Sequence, residues 1–277
     1  NDNTYPNVGG GGIYIFGGTV YFYNCEISDN KSYLGGSGLI GAASAKVFIY
    51  NSAVNNNTTY SSDGAKGGGG LYNAGEMHIE NTTIAGNSHP AVGGGIYNLL
   101  YNRKIHLNHV TITGNSADYG GGIYNRDENE DGTDTIWLKN TIVANNSATS
   151  EGNDLWGNFI SQDYNLIEDQ AGANITGNTA NNVYGTDPNL NSLGYYTYST
   201  QHHPLASGSA AIDKANANSY LPVDQVGKKR PIDGDSNDSK LPDIGAIEFF
   251  VDTDTDGISD KEEQGMDGTS TNYDGND

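Results

Sequence analysis

Apolar and polar residues alternate in short runs along this chain, and the runs recur. Val20 and Phe22, Val47 and Ile49, Met77 and Ile79, Ile105 and Leu107, and Ile136 and Leu138 each form a pair two residues apart. That period predicts strands that turn these side chains to one buried face. After a one-residue bend come further apolar positions at Ile27, Val54, Ile84, Ile112 and Val143, which predicts a second strand meeting the first at a corner. Each unit closes on an asparagine, at Asn30, Asn57, Asn87, Asn115 and Asn146, so the units step by 27, 30, 28 and 31 residues. A repeat of that size without helical periodicity predicts an all-β solenoid.

At the corner stand Asn24, Asn51, Asn81 and Asn140, with His109 interrupting the series. Asparagine tolerates the left-handed backbone of a tight corner, and stacked amides can bond from coil to coil, so this series is expected to be a structural ladder. The glycine clusters ahead of the strands, as in "GGGGLYN" at 67–73 and "GGGIYN" at 93–98 and 120–125, relieve a bend that a Cβ would crowd. They precede strands and lack the Lys-Ser/Thr of a phosphate-binding loop.

Outward positions also repeat. Tyr21, Phe48, His78, His106 and Trp137 fall in one series, and Tyr14, Tyr72, Tyr97 and Tyr124 follow the glycine clusters in another. With coils about 4.8 Å apart, each series stacks as a ladder that could bind sugar rings or a protein, or simply tie coil to coil. His78 and His106, on successive coils, could also share a metal ion.

Composition narrows the partners. The formal charge of -21, from 34 acidic and 13 basic residues, argues against nucleic acid and anionic lipid. No apolar run approaches the roughly 18 residues of a spanning helix, so direct membrane insertion is not expected and the chain reads as soluble. It opens at Asn1, as a processed chain or an excised fragment would. The lone Cys25 gives no internal disulfide and reads as a small strand residue.

Because many parallel β-helices act on polysaccharides, catalysis has to be weighed. A uronate lyase needs a base beside acidic metal ligands, but Arg103, Arg126 and Arg230 have no acidic cluster recognisable beside them on the repeats. A hydrolase needs two facing carboxylates, for which Asp154, Asp163, Glu168 and Asp169 are the candidates. His202 and His203 are adjacent and in a strand would face opposite ways.

The tail carries the clearest chemical motif. "DTDTDGISDKEE" places Asp252, Asp254 and Asp256 at positions 1, 3 and 5, Gly257 at 6, the Ile258 carbonyl at 7, Asp260 at 9 and Glu263 at 12. That spacing converges carboxylates on Ca2+.

"GGGIYN" followed by "NTTIAGNS" resembles the repeats of right-handed parallel β-helix proteins, particularly the polymorphic outer-membrane-protein type. "NDLWGNFISQDYNLIED", "GTDPNL", "HPLASGSAAID", "VDQVGKKRPIDG" and "PDIGAIEF" follow in order the C-terminal pattern of the choice-of-anchor Q family, and the tail is similar to thrombospondin type 3-like repeats. The resemblance, over about residues 9 to 250, implies a right-handed, pectate-lyase-like β-helix at or secreted from a bacterial or archaeal surface. The expected layout is coils over 1–186, final coils and an irregular C-terminal cap over 187–250, and an acidic calcium-binding segment over 251–277. The expected role is a non-catalytic adhesin, stalk or assembly subunit, with a glycan, a surface protein or another copy as partner. A polysaccharide lyase or hydrolase and an end-to-end filament subunit are the alternatives.

Overall fold

The structure is a computed structural model that describes residues 2–3, 11–33, 35–61, 67–99, 103–126, 135–196, 200–234, 237 and 239–251. The described residues contain strands and no helix, and every pairing between strands is parallel. They wind into a β-solenoid of about five turns. Each turn contributes a segment to three faces. The first face runs through β5 (Leu39–Tyr50, its first residues), β8 (Leu71–Asn73), β10 (Ile96–Asn98), β13 (Ile123–Asn125) and β17 (Leu155–Gln162). The second holds residues 19–23 of β2 (Ile13–Tyr23), the end of β5, the first halves of β9 (Glu76–Ala85) and β11 (Lys104–Thr113), and β14 (Thr135–Lys139). The third holds β3 (Glu26–Ser28), β6 (Ala53–Asn55), the ends of β9 and β11, β15 (Ile142–Ala144) and β18 (Leu166–Ile167).

The interior is built from the alternating apolar positions. Val47, Met77, Ile105 and Ile136 lie in register on the second face, as do Ile49, Ile79, Leu107 and Leu138, and all are fully or almost fully buried. Val54, Ile84, Ile112 and Val143 close the core from the third face and Leu39, Leu71, Ile96, Ile123 and Leu155 from the first. Identical registers in successive turns stack like on like, so each added turn buries about the same apolar area.

The glycine clusters allow this stacking at close range. Gly93 turns the chain with φ +64, and a Cβ on Gly95 would lie 2.7 Å from the Gly122 carbonyl oxygen of the next turn and 3.1 Å from Cγ of Asn115, which closes the same turn. The repeated instruction is therefore a left-handed turn followed by two positions where backbone packs on backbone.

The segment expected as final coils and cap is irregular, but it is laid along the third face rather than confined to the end. Tyr195 reaches Glu26 in the first turn (3.1 Å), Gln201 meets Asn55 in the second (3.5 Å), Gln225 bonds Thr83 in the third (2.6 Å), and Thr111 in the fourth accepts the Ala246 N–H (3.0 Å). A physical reason is visible in the strands it covers. Ala53, Thr83, Thr111 and Ile142 point out of the solenoid, and their small or apolar side chains are all buried. Ile142, Ala144 and Leu166 form with Leu205, Ala211, Ile212, Ala215 and Ile244 a second core outside the first. The third face is thus buried on both sides.

Candidate functional site

The outer corner series does adopt the left-handed conformation: φ is 52 at Asn24, 52 at Asn51, 44 at Asn81, 53 at His109 and 47 at Asn140. Asn81 donates to Asn51 (3.1 Å), and Asn140 meets His109 (3.0 Å). Much of the remaining bonding goes to the C-terminal segment. Asn81 donates to the Val223 carbonyl (2.8 Å) and accepts from Arg230 (2.7 Å), while Asn140 donates to the Ser219 carbonyl (3.1 Å) and accepts the Asn216 N–H (3.1 Å). Arg230 also bonds Glu248 (2.9 Å) and the Val223 and Gly245 carbonyls, with its side chain fully buried. The corner is a docking rail for the segment.

The continuous amide ladder lies elsewhere, in the closing asparagines. Asn30 donates to Asn57 (3.0 Å), Asn57 to Asn87, Asn87 to Asn115, Asn115 to Asn146 and Asn146 to Asp154 (2.9 Å each). Each of the first four also takes its neighbour's Oδ1 with its own backbone N–H, at 2.9 to 3.0 Å. A second ladder joins Asn73 to Asn98 and Asn98 to Asn125 at 2.8 Å. In the sequence the closing asparagines stand out only as markers of the repeat. Their recurrence once per turn was the available signal, since a buried amide recurring at that period needs partners above and below.

Burial puts the carboxylate candidates to similar structural use. Asp154 terminates the inner ladder and also accepts the Asp169 N–H (2.8 Å); its pKa is pushed up to about 6, mainly by burial. Asp163 accepts the backbone and side-chain donors of Asn181 (2.7 Å each), Glu168 the Asn145 N–H (2.8 Å), and Asp169 the Asn153 amide (2.8 Å). His202 and His203 each bond a carbonyl, of Thr200 and of Asn191, and burial lowers both pKa values.

On the second face Tyr21, Phe48, His78, His106 and Trp137 form one continuous stack. Neighbouring centroids are 4.8, 4.7, 4.5 and 4.3 Å apart, with interplanar angles of 16°, 12°, 8° and 5°. Burial is the leading cause of a lowered His106 pKa, with His78 adding to it. Stacking along the solenoid axis consumes the ring faces and leaves ring edges outward, so the column offers the Tyr21 hydroxyl, the apolar edge of Phe48 and the ring nitrogens of His78, His106 and Trp137. Free ring faces occur at the first turn, where Tyr21 and Tyr23 stand nearly coplanar, 54% and 57% exposed, backed by Phe48 and Tyr50.

The first-face series divides differently. Tyr72, Tyr97 and Tyr124 stack in order and continue to Trp156, a member sequence reasoning missed. Tyr97 is fully buried and is a packing residue rather than a ligand contact. Ile40 separates Tyr14 from Tyr72, so Tyr14 is exposed apart from the stack.

Among the described residues no group of three or more His, Cys, Asp or Glu is placed to hold a metal ion. No described helix is long and apolar enough to cross a membrane. Asp252, Asp254, Asp256, Ile258, Asp260 and Glu263, expected from their spacing to bind calcium, lie outside the described residues. In comparisons with known proteins, no family model, curated protein or solved structure matches the chain.

Proposed function

We propose that this chain is a non-catalytic extracellular or cell-surface β-helix protein that presents its second face to a glycan, as an adhesin or a ligand-binding stalk. The division of labour among the faces carries this reading. The third face is sealed by the C-terminal segment and the first buries Tyr97, while the second keeps five stacked rings half-buried or exposed, between polar rows, at the surface. A row of ring edges and hydrogen-bonding groups repeated every turn suits a chain molecule with repeated hydroxyls. The likeness of residues 153–249 to choice-of-anchor Q sequences supports the surface location, and the spacing of Asp252 to Glu263 supports calcium as a stiffener of the tail.

The test is to incubate the chain, with and without calcium, with a panel of polysaccharides and follow both retention and new chain ends. Retention without new ends is expected, and turnover of any polymer overturns the reading. A specific observation favours assembly as a second reading: the first turn exposes Phe16 (81%), Tyr14, Tyr21 and Tyr23 at its rim. In that case the chain forms multimers by sedimentation, and Phe16→Ser disperses them.

A further inference from the structure

We propose that Tyr21 and Tyr23, at the open first-turn end of the second face, form a stacking platform for an uncharged β-linked glycan whose sugar rings present flat apolar faces. The proposal rests on the glycan reading above and names the place and the chemical class of the ligand.

The alternation of β2 makes the platform. Val20 and Phe22 pack against the core, so Tyr21 and Tyr23 stand outside it two residues apart, and their rings lie side by side, 6.2 Å between centroids and 7° from coplanar. Phe48 and Tyr50 repeat the arrangement one turn later, also 6.2 Å apart, and stack behind the tyrosines at 4.8 and 5.0 Å. Along this face two rings abreast occur in these two turns alone: the row of Tyr50 continues through Glu80, Asn108 and Lys139, while the other continues through His78, His106 and Trp137. A single column ties coil to coil in the later turns, so that task does not account for the doubled width at the end. The backing layer fixes both tyrosines before a ligand arrives, which lowers the ordering cost of binding.

The outer faces of these rings are open. Among the described residues β2 pairs with β5 and with no strand on its other edge, and Tyr21 and Tyr23 are 54% and 57% exposed. An aromatic face is the negative side of the ring quadrupole. The axial C–H hydrogens of an all-equatorial pyranose carry the opposite partial charge and share a flat face, so ring and sugar attract while the sugar hydroxyls, at its edge, stay in water or reach the phenol oxygens. Two rings in one plane suit two consecutive residues of a straight β-linked chain better than a curved α-linked one. Charge selects an uncharged ligand. No Asp, Glu, Lys or Arg occurs from Gly11 to Cys25, and the next residue, Glu26, is on the third face and accepts from Tyr195. Lys46, on the second face one turn later, is already paired with Glu76 at 2.9 Å. An acidic sugar therefore gains little from it and meets a chain of formal charge -21.

The test titrates the full chain with a cello-oligosaccharide, a malto-oligosaccharide and an oligogalacturonate of equal length, using wild type, Tyr23→Ala, Tyr23→Phe and Trp137→Ala, with melting temperatures to confirm folding. Wild type is expected to prefer the cello-oligosaccharide. Tyr23→Ala should weaken that binding about fivefold or more, the scale of one lost stacking contact, and Tyr23→Phe, which keeps the ring, should stay within about twofold of wild type. Nitration of Tyr21 and Tyr23 by tetranitromethane in wild type, mapped by mass spectrometry, should slow when the cello-oligosaccharide is bound, a readout that needs no variant. Binding weakened by Trp137→Ala but not by Tyr23→Ala, or nitration that bound sugar does not slow, overturns the platform and leaves the glycan reading standing. Equal binding of the malto-oligosaccharide overturns the straight-chain assignment, and tighter binding of the oligogalacturonate overturns the uncharged one. Binding of no sugar overturns platform and glycan reading together, and multimers that Tyr23→Ala disperses would then assign these rings to a contact between copies.

Discussion

If the inner asparagine ladder is the spine of the solenoid, removing a central rung should cost far more than removing an end rung. Asn115 is fully buried, and its Oδ1 accepts both the Asn87 N–H and the Asn87 side-chain amide at 2.9 Å. Its own amide donates to Asn146 and to the Ile84 carbonyl, each at 2.9 Å. Asn115→Ala strands the buried Asn87 N–H and removes a partner from the Ile84 carbonyl, at about 1–3 kcal/mol for each group left unsatisfied. With the small cavity added, the expected loss is about 2–5 kcal/mol. Asn30, at the open end, donates to Asn57 and to the Ser28 carbonyl, so Asn30→Ala should cost about 0.5–1.5 kcal/mol. Urea unfolding followed by circular dichroism reads both. Equal losses for the two variants would refute the spine.

Three further outcomes are expected. Arg230→Ala leaves Glu248 buried without its cation, so stability should drop by about 3–5 kcal/mol and limited proteolysis should begin within residues 200–250; unchanged resistance would contradict the docking rail. Asp154 and Glu248 have pKa values raised to about 6 and about 7, with burial the largest cause for each, so between about pH 4 and 7 the folded chain holds more protons than the unfolded one. Their contribution is present below about pH 4 and is lost as pH rises to about 7, and Asp154→Asn should flatten the part of the denaturation-midpoint profile below pH 6. Calorimetric titration should show Ca2+ binding that Asp254→Asn together with Glu263→Gln abolishes, and heat-free titration of the wild type would remove calcium from the account.

The strands and the core were legible because period-two alternation states which side chains share a face, and Val47, Met77, Ile105 and Ile136 do stack in register. Direction at the turns was less legible. Asn81 and Asn115 are the same residue type recurring at the same period, yet one turns outward to Arg230 and the other inward to Asn146. The difference follows from which residue takes the left-handed turn: Asn81 itself in one case and Gly114, just before Asn115, in the other. The C-terminal segment has no period, and its partners lie far away in sequence, as with Arg230 and Asn81 at a separation of 149. The outward aromatic series was legible as a stack but not as one that spends its ring faces on itself.

The central claim is that the second face holds a glycan without altering it. The most direct measurement follows a retained polysaccharide by co-sedimentation and by reducing-end and unsaturated-end assays in the same tube, for wild type and for Trp137→Ala with Tyr21→Ala. The account predicts saturable retention of the wild type, loss of retention in the double variant, and no new ends in either. New ends released by the wild type, or full retention by the double variant, would contradict it.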